Sequence, residues 1–443
     1  MSFLDQVKEA GVIGAGGAGF PTHAKLNAEA EYILLNGAEC EPLLRVDQQI
    51  MAMYPEEIIK GFEMSGRHVK AKKAIIGIKG KHGDVIEILE NTIEKMGVGD
   101  YVSVGILPDI YPAGDEQVLV YELTGRTVPE TGIPIMCGCV VMNAETALNV
   151  YLASQGKAVT ETYVTLAGDI PNRITVKVPV GTPVMDVLKM SGIDDFSGYE
   201  IIDGGPMMGP LLADRNGSIA KKNKGFVILK KDHPLIQKKS CTEDQAKRVN
   251  RATCEQCRMC TDLCPRFLIG HDMQPHKMMR VLNYGLDDVE AKKIAQLCCQ
   301  CNLCEYFSCP ANLHPRLTNL MLKNELMAEG IKYKPEEGKQ YKARGSRDYR
   351  LVPSKRLIAR LRLTSFDMPA PMTDQSIAPA EVKIMLSQHV GAPCQPVVKA
   401  GDAVNEGQLI GQVPENALGA PVHASISGQV TEVNDKYIAI RRV

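Results

Sequence analysis

Tryptophan is absent from this 443-residue chain, and aromatic residues make up only 5% of it. So small a supply argues against the stacking platforms that single-stranded nucleic acid requires. Charge of one sign is also missing: 51 Lys and Arg stand against 52 Asp and Glu, a net charge of −1. That balance offers neither the basic excess of a nucleic-acid binder nor the acidic excess of a disordered chain. No apolar run reaches the roughly 18 residues of a membrane span, so no transmembrane segment is expected. The first turns of sequence hold Asp5 and Glu9 and no continuous apolar stretch, so a secretory signal is not expected either. What is plentiful is cysteine, 14 residues in all. Without an export signal, that number favours metal or redox chemistry over disulfides.

Eight of the cysteines form two groups. Cys254, Cys257, Cys260 and Cys264 follow a C-x2-C-x2-C-x3-C spacing and run into Pro265. Cys298, Cys301, Cys304 and Cys309 repeat it with one extra residue before the last cysteine, and run into Pro310. This is the spacing of bacterial two-cluster ferredoxins, in which the fourth cysteine of each run serves the other cluster. One [4Fe-4S] cluster then takes Cys254, Cys257, Cys260 and Cys309, and the other takes Cys298, Cys301, Cys304 and Cys264. A pair of zinc sites is the competing reading, although zinc modules usually use paired C-x2-C hooks, often with histidine. Cys299 sits inside the second loop but off the spacing and reads as a spare buried thiol. Cys40, Cys137, Cys139, Cys241 and Cys394 read as small core residues. Between the groups, His276–Asn283 and Leu286–Leu297 carry helical periodicity, and Leu317, Leu320, Met321 and Leu326 continue it afterwards. The pattern predicts an all-helical double-cluster domain over about 240–330.

Residues 14–19 read Gly-Ala-Gly-Gly-Ala-Gly, matching G-x-G-x-x-G at Gly14, Gly16 and Gly19. The Rossmann fingerprint needs a strand before it. Here Phe3, Leu4, Val7 and Ala10 suggest a short helix, which leaves only Val12-Ile13, so the usual pyrophosphate site is not expected. The loop can still bring backbone N–H groups to a phosphate; a tight structural turn is the plainer alternative. Beyond it, strands at Glu31–Asn36, Ala74–Ile78 and Tyr101–Leu107 alternate with helices at Ile50–Met64 and Asp84–Met96. Such alternation implies a mostly parallel sheet with a ligand at the strand ends.

The motifs Gly16-Gly-Ala-Gly-Phe20-Pro-Thr-x-x-Lys25, Asn36-x-x-Glu39-x-Glu41, Tyr111-Pro-Ala-Gly114-Asp-Glu116 and Asn143-Ala-Glu-Thr146 resemble the flavin- and NADH-binding subunit of respiratory complex I. With Ile201–Gly209 and the double cluster, the chain more closely resembles RnfC, the C component of Rnf electron-transport complexes. The resemblance implies non-covalent FMN, reduced by NADH, with no side chain assigned a catalytic role. It implies that Gly14, Gly16, Gly17, Gly19 and Lys25 hold the phosphate, and that Asn36, Glu39, Asp47 and Asn143 contact the ribityl chain or ring. Phe20, Glu41, Tyr111 and Glu116 would face the nicotinamide nucleotide, and Gly114 and Thr146 belong to the same cofactor-binding motifs. Ala38 and Cys40 depart from the complex I pattern, where an acid and a glycine stand.

Residues 380–443 suggest short strands with Gly turns, similar to a biotinyl/lipoyl-type barrel-sandwich hybrid. The hairpin Pro414–Pro421 has no lysine, which argues against a carrier role. RnfC proteins carry this module at the N-terminus. Its place after the clusters, in a chain this short, is similar to the cobalamin reductases of propanediol-utilising bacterial microcompartments. Strands at Tyr163–Leu166, Ile174–Val178 and Glu200–Ile202, with a helix at Pro183–Met190, fit a β-grasp module of the soluble-ligand-binding (SLBB) type. Residues 332–362 hold eleven Lys and Arg against three Asp and Glu. Leu357, Ile358, Leu361 and Leu363 there predict a linker helix packed on the flavin domain, its arginines in solvent, with a helix that docks a partner or an anionic surface as the alternative.

The expected architecture is a multidomain α/β chain. A Rossmann-like FMN/NADH-binding domain covers 1–157, an SLBB-like β-grasp 158–235 and an α-helical double [4Fe-4S] ferredoxin domain 240–330. A basic linker follows at 331–378 and a barrel-sandwich hybrid at 379–443. The expected activity is NADH-dependent reduction of cobalamin toward cob(I)alamin through FMN and two [4Fe-4S] clusters, in the cytoplasm and within a microcompartment. Expected partners are NADH and cobalamin or a corrinoid-carrying, adenosyltransferase-like enzyme, with a shell protein as a further candidate and no nucleic acid. The alternatives are an electron conduit without turnover of its own, or an Rnf-type NADH:ferredoxin electron-transport component.

Overall fold

The computed structural model describes residues 1–443. The chain opens on helix Phe3–Glu9, held by a capping box in which Ser2 Oγ accepts from Asp5 N–H and the Asp5 carboxylate accepts from Ser2 N–H. No strand precedes the glycine loop; Ile13 makes only an isolated bridge to Pro21. Strands β1 (Tyr32–Asn36), β2 (Lys73–Lys79), β3 (Val102–Leu107) and, after a two-residue β4 (Ile110–Tyr111), β5 (Cys139–Asn143) follow. The sheet is parallel, ordered β3-β2-β1-β5, with helices covering it, one apolar core of 32 buried residues and a second of 10 that includes Leu34, Leu107 and Val141. β1 has β2 on one side and β5 on the other, so the strand order reverses beside it. That is where α/β sheets open a ligand crevice at their C-terminal edge.

The helix expected at Ile50–Met64 is in fact two, Val46–Met53 and Pro55–His68. Pro55 has no N–H to continue the first helix, but its fixed φ suits the first position of a new one. A second sheet contains β6 (Glu161–Gly168), β7 (Ile174–Pro179), β8 (Tyr199–Asp203) and β9 (Gly225–Lys230) in the order β7-β6-β9-β8. The hairpin β6–β7 is antiparallel, β6 and β9 run parallel at the centre, and helix Val184–Lys189 crosses between the hairpins. β9 was not among the strands expected from the sequence. Its continuous apolar run has no alternation to mark it, because both faces are buried.

Residues 243–328 are helical: Glu243–Thr253, Pro275–Tyr284, Val289–Lys293 and Pro315–Ala328 are the main elements. The helix expected over Leu286–Leu297 starts later, where the Asp288 side chain accepts from Ala291 N–H, and tightens to a 3₁₀ turn at Ile294–Leu297. The basic segment then runs over the layer of the first sheet. Lys339, Tyr333 and Tyr341 converge on the fully buried Glu130, and Arg347 pairs with Glu122. Its short β10 (Val352–Pro353) pairs with β4, and helix Ser354–Arg360 buries Leu357 and Ile358 while Lys355, Arg356 and Arg360 face solvent. These apolar side chains share one core with Tyr111, Val227, Cys301 and Leu303, so the helix is wedged between layers and not laid on the flavin domain alone.

The chain ends in two small antiparallel sheets around a separate core. β11 (Glu381–Met385), β13 (Ala403–Val404), β16 (Gly428–Val433) and β17 (Tyr437–Arg441) form one; β12 (Gln395–Pro396), β14 (Leu409–Gln412) and β15 (Val422–His423) form the other. No helix is long and apolar enough to cross a membrane.

Candidate functional site: a strand-end crevice joined to two cysteine loops

Asn36 and Asn143 are paired residues at the ends of β1 and β5, side by side where the strand order reverses. The glycine loop lies over this edge. A Cβ on Gly16 would stand 2.5 Å from Asn143 Oδ1, so any larger residue there must push the Asn143 amide aside. Gly17, at φ +102°, faces open space. Ala15 N–H donates to Thr146 Oγ1 at 3.0 Å, fixing the loop beside the start of helix Ala144–Ser154. Asn143 begins that helix without spending its side chain on a cap. The loop amides and the helix start are what a phosphate requires. Lys25 Nζ reaches Val141 O and Glu116 Oε1, both at 2.8 Å, so its charge sits at the crevice rim already paired. Phe20 is about one-third exposed beside it.

Two half-buried acids line the same end. Glu39 accepts from Asp47 N–H and Gln48 N–H at the start of helix Val46–Met53. Burial raises its pKa against the pull of Arg45, and burial with the Glu39 and Glu145 charges raises that of Asp47 well above the usual carboxylate range. Glu145 itself is held by Thr162 and Lys224 from the second sheet.

The remaining residues implied to face a nucleotide point elsewhere. Glu41 accepts from Met207 N–H and Met208 N–H at 2.8 and 2.9 Å, clamping the Gly204–Gly209 loop of the second layer. Tyr111 is buried, and its hydroxyl donates to Cys301 O at 2.8 Å. Asn36 Nδ2 holds Gly114 O at 2.9 Å, and Cys40 Sγ accepts from Gly114 N–H. The segment Tyr111–Asp115 therefore ties the strand-end crevice to the second cysteine loop. Asp115 completes the tie through Arg266, at 2.9 Å with both side chains almost fully buried. Ala38 lies at 0% exposure in an apolar cluster with Leu34, Leu107 and Ala113, surroundings that would leave an acid without a partner.

The two cysteine loops are conformational repeats. Gln256 and Arg258 flank Cys257 with φ of 52° and 67°; Gln300 and Asn302 flank Cys301 with φ of 59° and 64°. These left-handed residues wind each triplet into a tight loop. The extra residue before Cys309 is absorbed by a π turn at Cys304–Ser308, where the first loop has an α turn at Met259–Asp262. Cys309 packs with Cys254 and is close enough to Cys260 for its charge to bear on that thiol. Cys264 packs beside Cys298 and lies close to Cys301 and Cys304. Cys264, Cys298, Cys301 and Cys304 line one small cavity with Cys299, Asn302 and Arg316. N–H groups aim at sulfur: Leu313 at Cys309 (3.3 Å) and Gln300 at Cys298 (3.4 Å). Burial pushes the Cys260 and Cys298 thiols up to about 12, so metal loading must displace their protons. No three His, Cys, Asp or Glu side chains converge as tightly as the ligands of a single metal ion. The donor set and the framed cavity fit an iron–sulfur cube, as the crevice fits a flavin phosphate.

The third layer was not foreseeable at this site. Val390 N–H donates to Gly19 O at 3.0 Å, and a Cβ on Gly19 would meet Gln388 O at 3.1 Å. The barrel at the C-terminus thus closes on the glycine loop near the N-terminus. No motif in the sequence signals that contact.

Residues 7–152 match the model of the Nuo51 FMN-binding domain, 253–314 that of a 4Fe-4S dicluster domain, and 370–442 that of the RnfC barrel sandwich hybrid domain. Cobalamin reductase PduS of Salmonella typhimurium is 39% identical over 440 residues, covering 99% of this chain and 96% of that protein. The chain belongs to the PduS family. PduS of Citrobacter freundii is 40% identical over the same span. The C component of the Na⁺-translocating ferredoxin:NAD⁺ oxidoreductase complex of Acetobacterium woodii is 32% identical over 58% of this chain and 56% of that protein, which sets the PduS family among RnfC-like proteins. The three matched modules make this member an FMN- and iron–sulfur-dependent oxidoreductase of mixed α/β, multidomain build.

Proposed function

We propose that this protein is an NADH-dependent cobalamin reductase that moves electrons from one FMN through two [4Fe-4S] clusters. One observation carries the reading: Tyr111–Asp115 is bonded at one end to Asn36 in the crevice and at the other to Cys301 and Arg266 of the cysteine loops. FMN, when bound, accepts electrons as a pair and releases them singly, and the clusters carry one each. The chain's own residues bind and position. Gly14, Gly16, Gly17, Gly19 and Thr146 shape the phosphate cradle, and Lys25 with Glu116 sets its charge. Asn36, Glu39, Asp47 and Asn143 surround the remainder of the crevice, with Gly114 held against Asn36. Cys254, Cys257, Cys260 and Cys309 are assigned to one cluster and Cys264, Cys298, Cys301 and Cys304 to the other. Module boundaries of 1–157, 158–235, 240–330, 331–378 and 379–443 fit this division, the second module being read as an SLBB-type β-grasp. The reading also takes cobalamin, free or on a corrinoid-carrying enzyme, as acceptor, and a microcompartment with its shell as the setting, because the relatives' name carries the first and the resemblance the second.

Anaerobic purification with iron, sulfide and flavin quantification tests the cofactors: about eight irons and one FMN per chain support it, and zinc without sulfide overturns it. Stopped-flow mixing with NADH tests the donor, for which failure to bleach bound flavin is the negative result. A second reading, an electron conduit with little NADH turnover of its own, draws on Ala38 in an apolar cluster and on Glu41 and Tyr111 bonded to protein. Cobalamin reduction by the purified protein alone counts against it.

A further inference from the structure

The two cysteine sets differ in depth. Of the set beside Tyr111, Cys264, Cys301 and Cys304 are buried, and the carbonyl of Cys301 is bonded to the flavin layer. Of the other, Cys257 is exposed and Cys254 half-buried. Electrons entering at the flavin therefore meet the Cys301 set first, and the Cys254–Cys257 loop is where a cluster edge comes nearest to solvent.

That loop is ringed by cations. It leaves the end of helix Glu243–Thr253, whose Arg248 and Arg251 are exposed, and that helix packs on Pro275–Tyr284. Arg258, in the loop, and Lys277 and Arg280, on the second helix, stand close enough around His276 to hold its pKa down at about 4 once burial has lowered it. His276 is hydrogen-bonded to Thr261, next to the ligand Cys260, which sets these charges beside the first cysteine loop. The loop's own acids are Glu255 and Asp262, Asp262 being occupied by Arg258 at 3.7 Å, while Glu243 and Asp244 stand at the far end of helix Glu243–Thr253. Part of the basic segment 332–362 is spent internally, as Lys339 is on Glu130 and Asp272 and Arg347 on Glu122. Here Arg248, Arg251, Arg258 and Arg280 are exposed and Lys277 half-buried, with Tyr284 exposed at the end of the second helix.

We infer that this basic collar around Cys257 is the electron exit, and that it docks a protein partner with an acidic face that carries the next acceptor. Opposed charge over an exposed cluster edge raises the encounter rate and orients the two redox centres. Free cobalamin, which carries no negative net charge in its oxidised forms, gains nothing from such a collar. The inference rests on the proposed relay from flavin to clusters.

The test uses the full-length, cluster- and FMN-loaded protein, with an acidic plant-type ferredoxin as probe and basic cytochrome c as its opposite. Association of the oxidised proteins is read by interferometry. Transfer from dithionite-reduced protein is read by stopped flow, so an inert NADH site cannot mask the exit. The expected result is binding to the acidic probe that weakens as salt rises from about 50 to about 500 mM. It falls by about tenfold or more in Arg251→Glu/Lys277→Glu/Arg280→Glu, while cytochrome c gains by a similar factor. Iron content and the reduced-cluster EPR signal should match wild type. The milder Lys277→Gln/Arg280→Gln pair covers poor folding of the triple variant. Unchanged affinity and rate in variants with intact clusters overturn the inference. Reduction of free cobalamin by a protein that binds neither probe does so as well. Flavin that NADH cannot bleach, with salt-sensitive docking intact, sinks the donor assignment and leaves the exit standing.

Discussion

Asp115 and Arg266 join the flavin layer to the cysteine loops, and their removal tests whether this seam is an ion pair or an incidental contact. One Asp115 oxygen accepts from Gln117 N–H and Val118 N–H at 3.2 Å each, capping helix Glu116–Thr124. The other accepts from Arg266 at 2.9 Å, with the side chains 12% and 11% exposed. Arg266→Met leaves a buried carboxylate held only by the cap, and we expect a loss of about 3 kcal/mol, at the lower end for a broken buried pair. Asp115→Asn keeps the cap, since Asn serves there as well as Asp, and leaves the guanidinium unpaired at a similar cost. The double variant removes both charges and should lose only about 1 kcal/mol, so the two singles are strongly non-additive. Urea unfolding of the four proteins, followed by far-UV dichroism and by visible cluster absorbance, measures the cycle; two probes are needed because a layered chain need not unfold in one step. Additive singles, or singles costing under about 1 kcal/mol, would refute the reasoning.

Gly16→Ala should place its methyl against Asn143 Oδ1 and cut bound flavin per chain severely, with thermal stability nearly unchanged; co-purified FMN gives the measurement. Lys25→Met frees Glu116 and leaves Val141 O without its donor, and FMN affinity by fluorescence titration should fall about tenfold. Cys257→Ser and Cys301→Ser should each lower iron from about eight to about four per chain. NADH should still produce a reduced-cluster EPR signal in Cys257→Ser and should not in Cys301→Ser. Lys221 is buried, its ammonium bonded only to Gly11 O and Pro421 O, and its pKa is lowered to about 8 by burial. Between pH 8 and the ordinary lysine value of 10.5, the unfolded chain therefore binds more protons than the folded one, so this group's contribution to stability rises with pH there. The stability of wild type minus that of Lys221→Met should climb across that window; a flat difference removes the claim.

The sequence alone was enough to mark the cysteine loops, the glycine loop and the α/β alternation, because each depends on spacing along a few adjacent residues. It also located the break from the Rossmann pattern, since two residues cannot make the strand that pattern requires. Even the one-residue insertion before Cys309 was visible, although its outcome, a π turn, depended on how the loop closes. Tertiary structure decided what lies far apart in the chain. Tyr111 meeting Cys301, Glu41 meeting Met207 and Gln388 resting on Gly19 are contacts between layers, and no local pattern encodes which layer a side chain turns toward. The helix at Ser354–Arg360 shows both sides: its apolar spacing gave the buried face, but only packing decided that three layers would share it. Local periodicity sets what a segment can bury, and the assembled layers set what it is buried against.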